Sequence, residues 1–123
     1  MLNLILTILI SADVARCESG PRFDDGAVVL QTAVNRARLW GRPLLDVLRQ
    51  PRQFARGCAW SPRTWSLRHV RLGIDAALWR LDAPPWAFKA VEYLGPSDSP
   101  ELTATRGPLL GCIVHCFHGP RRR

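Results

Sequence analysis

Glu18 stands where a long apolar run gives way to a turn, in the stretch Ala15-Arg16-Cys17-Glu18-Ser19-Gly20-Pro21. A carboxyl at such a helix end, half-enclosed by neighbours such as Val14 and Cys17, loses the water that would stabilise its anion. Desolvation of this kind raises the pKa and keeps a proton available near neutral pH, as a general acid requires. The expectation for Glu18 is therefore a pKa above the peptide value of about 4.3, roughly 6. A solvated glutamate at a helix end is the ordinary alternative, and residue types alone do not separate the two. His115, with an ordinary pKa of about 6.5, titrates in the same window.

Cys112, His115, Cys116 and His118 are metal-ligating types, but they crowd one short segment, whereas a structural zinc site joins two separated ligand couples. No metal and no other cofactor is expected. The segment reads as a buried strand whose histidine is satisfied by hydrogen bonds, with His115 and Cys116 on opposite sides. Four cysteines, Cys17, Cys58, Cys112 and Cys116, permit disulfides without fixing pairing or compartment. Reduced thiols buried as small hydrophobes are an equal alternative, and Cys112 or Cys116 can also pair with Cys17 or Cys58.

The elements that must position these groups are mainly helical. Residues 2 to about 17 form an apolar helix stopped near Ser19-Gly20-Pro21. Asp24-Asp25-Gly26 offers a cap for a second helix with Val29, Ala33, Ala37 and Trp40 at helical spacing, ended by Gly41. Pro43 opens a short helix from Leu44 to Arg49, and Gln50 to Pro62 is loop-like. A third long helix is expected from about Ser66 to Leu81, with Leu67, Val70, Ile74, Ala77, Leu78 and Leu81 as its apolar stripe and Pro84-Pro85 beyond it. His69 then falls on the surface. Residues 86 to 118 alternate apolar pieces with Gly and Pro, and suit short strands or loops. The fold class is mainly α (α+β), with a small irregular or β C-terminal part.

The 123 residues have the size of one ordinary domain, read as a single unit over 1–123. A composition of 47% hydrophobic and 22% charged residues excludes a disordered chain. The net charge of +7 favours an anionic partner: nucleic acid, an anionic membrane surface or a bacterial wall. No basic-aromatic stripe or nucleic-acid motif is present, so specific nucleic-acid binding is not expected. The run Arg121-Arg122-Arg123 reads as a solvated tail. The apolar start lacks a preceding basic residue and is too short to span a bilayer, so a buried first helix is expected in place of an export signal. A monomer without a transmembrane span is the expectation.

The motifs, taken in order, resemble the SleB-type (spore-cortex-lytic) cell-wall hydrolase family. That family carries a glutamate in a Glu-Ala-Arg-Gly-Glu turn, then a glycine, then a helix closing on Asn-Arg. Here Glu18 precedes Gly26 by the family spacing, and Val34-Asn35-Arg36 closes the helix. Gln50-Pro51-Arg52-Gln53-Phe54 is similar to the family's Gln-Pro-x-x-Phe segment. Ala87 to Pro96 resembles its aromatic segment, and Leu110 to Phe117 its closing Ile-Gly-x-His-x-Phe, with extra residues before the histidine. The chain departs from the pattern at Ser19-Gly20-Pro21-Arg22, which lacks the second acidic residue of the turn, and at Ala27, where the family usually has glutamine.

The resemblance implies a lysozyme-like fold that cuts peptidoglycan glycan strands at N-acetylmuramic acid, by lytic transglycosylase or muramidase chemistry. Glu18 would be the catalytic acid, with Asn35, Gln50, Gln53, Phe54, Glu92, Tyr93 and His115 on the substrate. Alternatives from other classes are a non-catalytic basic protein that binds nucleic acid or wall polymer, and a wall amidase, whose chemistry usually needs zinc. Both a bacterial and a phage lysis setting suit these features. Among the five tryptophans, Trp40 and Trp79 lie on helical stripes and read as packing. Trp60, Trp65 and Trp86 lie in loop-like, proline-containing stretches and suit either packing or a glycan groove.

Overall fold

The computed structural model describes residues 1–51, 53–58, 66–95, 98 and 106–121. Trp60, Trp65, Glu101 and Arg122-Arg123 lie outside the described residues. Helix α1 (Leu2–Ser19) turns at Gly20 and Pro21 into α2 (Phe23–Trp40), and α2 is the hub of the molecule. Every residue of α2 from Asp25 to Ala37 is buried, because α1, α3 (Leu44–Leu48), α4 (Leu67–Ala77) and a 3-10 turn (Pro85–Lys89) pack around it. Val14, Val28, Val29, Leu30, Val34, Val47, Leu48, Phe54 and Phe117 make the core. Each such side chain, fully buried, stabilises by roughly 1.5–3 kcal/mol.

Gly41 ends α2 as expected, in the left-handed conformation (φ 63°), with its N–H donating to the Ala37 carbonyl. Asp24 and Asp25 do not cap the helix. Arg22 holds the cap position without a side-chain capping hydrogen bond, and both aspartates sit in the first turn. Negative charge there suits the helix dipole.

Helix α4 stops at Ala77, short of the expected Leu81. Trp79 takes a positive φ of 55°, and the Arg80 N–H donates back to the Asp75 carbonyl, closing the last turn. Leu81 is still buried, reached by a turn in place of helix, whereas Leu67 and Leu78 of the expected stripe are exposed. His69 is buried, not on the surface, because Ser66 and His69 form a reciprocal capping box and His69 Nε2 lies 2.9 Å from the Gly20 carbonyl. Gly73 permits the close crossing of α1 and α4, since any Cβ there would overlap the Ile8 carbonyl oxygen.

The first helix is buried only in part. Its buried residues, Ser11, Ala12, Val14, Ala15, Arg16 and Ser19, lie in the second half, while Leu2, Leu4, Ile5 and Leu9 are 42–68% exposed. Residues 2–10 are apolar all round except at Asn3 and Thr7, so the faces that the other helices do not cover stay exposed. No described helix is long and apolar enough to cross a membrane.

The C-terminal part forms a three-stranded antiparallel sheet in the order β1 (Glu92–Leu94), β3 (Cys116–His118), β2 (Leu109–Cys112). Tyr93 pairs with Phe117, and Gly111 pairs with Phe117 across a register shift from Leu109. The cysteines are all oxidised: Cys17 joins Cys58, and Cys112 joins Cys116. Neither free thiols nor a bridge between the helical and C-terminal cysteines is present. Trp40 and Trp79 depart from the expected packing role, and Trp86 takes the packing alternative. Trp40 and Trp79 are half-exposed, under Arg36 and Arg38 respectively, whereas Trp86 packs on Gly111 and Phe117.

Candidate active site around Glu18

Four separate elements converge on one carboxylate. The last turn of α1 supplies Glu18 and Ser19, the first turn of α2 supplies Asp25, β1 supplies Tyr93, and the turn between β2 and β3 supplies His115. The Glu18 side chain is 13% exposed. Its Oε1 accepts the Ala55 N–H at 2.6 Å and the Tyr93 hydroxyl at 3.0 Å, and its Oε2 lies 3.2 Å from His115 Nε2.

Behind the histidine lies a second carboxylate. His115 Nδ1 is 2.5 Å from Asp25 Oδ2, which also accepts the Ser19 hydroxyl at 2.7 Å. The other Asp25 oxygen accepts the N–H groups of Val114 and His115, each at 2.9 Å. Asp25 is fully buried, so its charge is satisfied entirely by these donors. His115 therefore sits in a turn with its ring between two carboxylates, not in a strand.

The electrostatics follow from this chain of contacts. Burial alone would push the Glu18 carboxyl up, but hydrogen bonds from His115, the Ala55 amide and Tyr93, with the His115 charge, hold it below its ordinary value. The raised pKa expected from desolvation is thus overturned, since three donors outweigh burial. Burial likewise disfavours the His115 cation, yet its bonds to Asp25 and Glu18 raise its pKa to about 9. Asp25, despite burial, is lowered to about 2 by His115, Ser19 and the backbone amides. Burial and the Glu18 charge push the Tyr93 phenol well above its usual range, so it remains a donor. At neutral pH the group is Asp25⁻, His115⁺ and Glu18⁻, and its mobile proton resides on the histidine.

This pairing makes stability depend on pH. A histidine raised from about 6.5 to about 9 stabilises fully below the lower value and ceases to do so as pH rises through the upper one. Asp25, lowered to about 2, stabilises above its unfolded value of about 3.9 and ceases to as pH falls through 2. Thermal unfolding should show the pair's full contribution between about pH 4 and 6.5. The difference in melting temperature between parent and His115→Gln should shrink from pH 6.5 to 9; a constant difference would contradict the assigned charge.

The other expected substrate residues divide. Gln53 adjoins the site: its carbonyl oxygen lies 3.0 Å from the Tyr93 hydroxyl and its Oε1 accepts from Arg36 at 3.1 Å. Phe54 is buried beneath Arg36 and beside the Tyr93 ring, so it supports the site without facing a ligand. Asn35 is committed to the fold: both its amide hydrogens go to the Ala87 and Ala90 carbonyls, and its oxygen accepts from Gln31. Glu92 alternates with Tyr93 along β1 and pairs with Arg106 and Arg121, away from Glu18. The buried Gln50 Oε1 has no hydrogen-bond partner among the described residues.

Asp25 and Ser19 are the members that sequence reasoning missed. Asp13 and the sulfurs of Cys17 and Cys58 lie within 4.8 Å of one another, but sulfurs joined to each other are not thiolate ligands. An open groove of about 550 Å³ lined by Asn35, Arg38, Phe88 and Lys89 includes none of Glu18, Tyr93 or His115. Compared with known protein families, curated proteins and solved structures, the chain matches none.

Proposed function

We propose that this chain cleaves the glycan strand of peptidoglycan at N-acetylmuramic acid, with Glu18 as acid and then base, on a lysozyme-like arrangement of helices. The observation that carries the reading is a single partly exposed carboxylate held by Ala55 and Tyr93 against a charged histidine, itself backed by a buried aspartate. Among the described residues the other carboxylate in the group is Asp25, which is sealed from solvent and so is unsuited to act as a nucleophile. Such a site suits chemistry whose nucleophile belongs to the substrate. The in-order resemblance to SleB-type catalytic domains supports the same reading.

The resting site needs one proton transfer before it can act. A glycan over Glu18 excludes water, and exclusion of water favours the neutral pair over the ion pair, so the His115 Nε2 proton passes to Glu18 Oε2 across 3.2 Å. Glu18 then donates it to the glycosidic oxygen as the C–O bond breaks. The muramyl 6-hydroxyl closes on the anomeric carbon, its proton returns to Glu18, and no water is consumed. His115 acts as the proton reservoir, and Asp25 keeps it charged.

Activity then follows the His115 proton. Clearing of purified peptidoglycan should persist through neutrality and fade near pH 9, since His115 is raised to about 9. Loss of clearing through pH 6 would instead indicate an isolated carboxylic acid. The competing reading, a non-catalytic basic binder, draws on the net charge of +7 and predicts wall binding without clearing at any pH.

A further inference from the structure

Each disulfide adjoins, in sequence, one member of the Glu18–His115 pair. Cys17 directly precedes Glu18 in α1, and its partner Cys58 lies just beyond Ala55, whose N–H donates to Glu18. Cys116 directly follows His115, and its partner Cys112 closes the same turn from the other side. Cys58 and Cys112 are both exposed, so each bond is open to a reductant.

Beyond the buried Phe54, the segments they hold are fixed mainly by hydrogen bonds. Residues 54–58 contain no helix or strand. Apart from the disulfide, this stretch is tied to α1 by four described hydrogen bonds: Ala55 N–H to Glu18, Gly57 N–H to Asp13, Cys58 N–H to Cys17 Sγ and Arg16 to the Cys58 carbonyl. Hydrogen bonds of this kind contribute roughly 0.5–1.5 kcal/mol each, in competition with water. The β2–β3 pair is short and irregular between Leu109 and Gly111, and Cys112–Cys116 is its last pair before the turn. With that bond open, the described polar contacts that hold the His115 turn to the helices are those of Asp25 and Glu18.

We propose that the two disulfides gate this site: the oxidised chain holds Glu18, the Ala55 amide and His115 in register, and a dithiol reductant releases them. The inference rests on reading Glu18 and His115 as the reacting pair. In each exchange a thiolate of the dithiol attacks one sulfur and displaces its partner as thiolate. The second thiol of the reductant then closes its own disulfide, so two electrons and two protons pass to the cysteine pair. A glycan-cutting chain gated in this way is idle where dithiols keep its cysteines reduced, and assembled where they do not. Displacement of reacting groups by about 1 Å can cost about 100-fold in rate.

The test follows the His115 ring by NMR titration in the oxidised and the dithiothreitol-reduced chain, with wall clearing measured in parallel. His115 faces Glu18 from α1, Asp25 from α2 and Tyr93 from β1. On reduction its midpoint should fall from about 9 toward 6.5 and clearing should drop about 100-fold, both returning on reoxidation. An unchanged His115 midpoint in the reduced chain overturns the gate, whatever clearing does. An oxidised chain that shows the shift but never clears wall overturns the glycan-cleaving reading and retains the gate on His115. Should the reduced chain lose its helical circular dichroism, Cys112→Ser with Cys116→Ser, keeping Cys17–Cys58, carries the same test. A lowered midpoint there supports the gate, and a parental midpoint contradicts it.

Discussion

Glu18→Gln is expected to lower glycan cleavage by about 10²–10⁴-fold, the usual range for removing a general acid–base group. The amide has the size of the carboxyl, and its oxygen can still accept the Ala55 N–H and the Tyr93 hydroxyl. It cannot receive the His115 proton and pass it on. Melting temperature should stay close to that of the parent, because the core behind Glu18, including Val14 and Ala15, is untouched. Clearing of peptidoglycan gels by equal amounts of parent and variant reads the effect. Activity of the variant within tenfold of the parent would move the chemistry off Glu18.

Asp25→Ala should act through stability. It removes the acceptor of the Ser19 hydroxyl, the Val114 and His115 amides and His115 Nδ1, and leaves a buried histidine cation half-paired. Breaking a buried pair by deleting one partner costs about 3–5 kcal/mol. In a domain of this size that is a fall in melting temperature of roughly 10–20 °C. Asp25→Asn, which keeps shape and an acceptor but not charge, should cost less and should lower the His115 pKa, shifting the alkaline limb of activity downward. Denaturant unfolding measures the first effect. A loss under about 1 kcal/mol would show that α2 and the β2–β3 turn are held together by other contacts.

The helices were legible because apolar residues repeat at helical spacing and Gly20 and Gly41 stop them. Glu18 was legible for a related reason, standing at a helix end against a Gly-Pro turn. The charge state of Glu18 was not, because it depends on donors from Ala55, Tyr93 and His115, which are distant in sequence and meet only in the fold. Asp25 was hidden by its own local plausibility, since aspartate in a first helical turn needs no tertiary explanation. Asn35 erred in the opposite direction, because a motif position that suggests a substrate contact here clamps α2 to the 3-10 turn. Helix α4 ended early because the left-handed turn at Trp79 is a backbone event that the apolar spacing through Leu81 conceals. The cysteine pairing needed Cα positions that no spacing supplies.

The most direct measurement of the central claim is mass analysis of purified sacculi digested by the oxidised parent and by Glu18→Gln. Glycan fragments ending in anhydro-muramic acid, lighter by one water than reducing-end products, are predicted for the parent and absent for the variant. Intact glycan with the parent, or fragments in equal amount from both proteins, would contradict a glycan-cleaving site centred on Glu18.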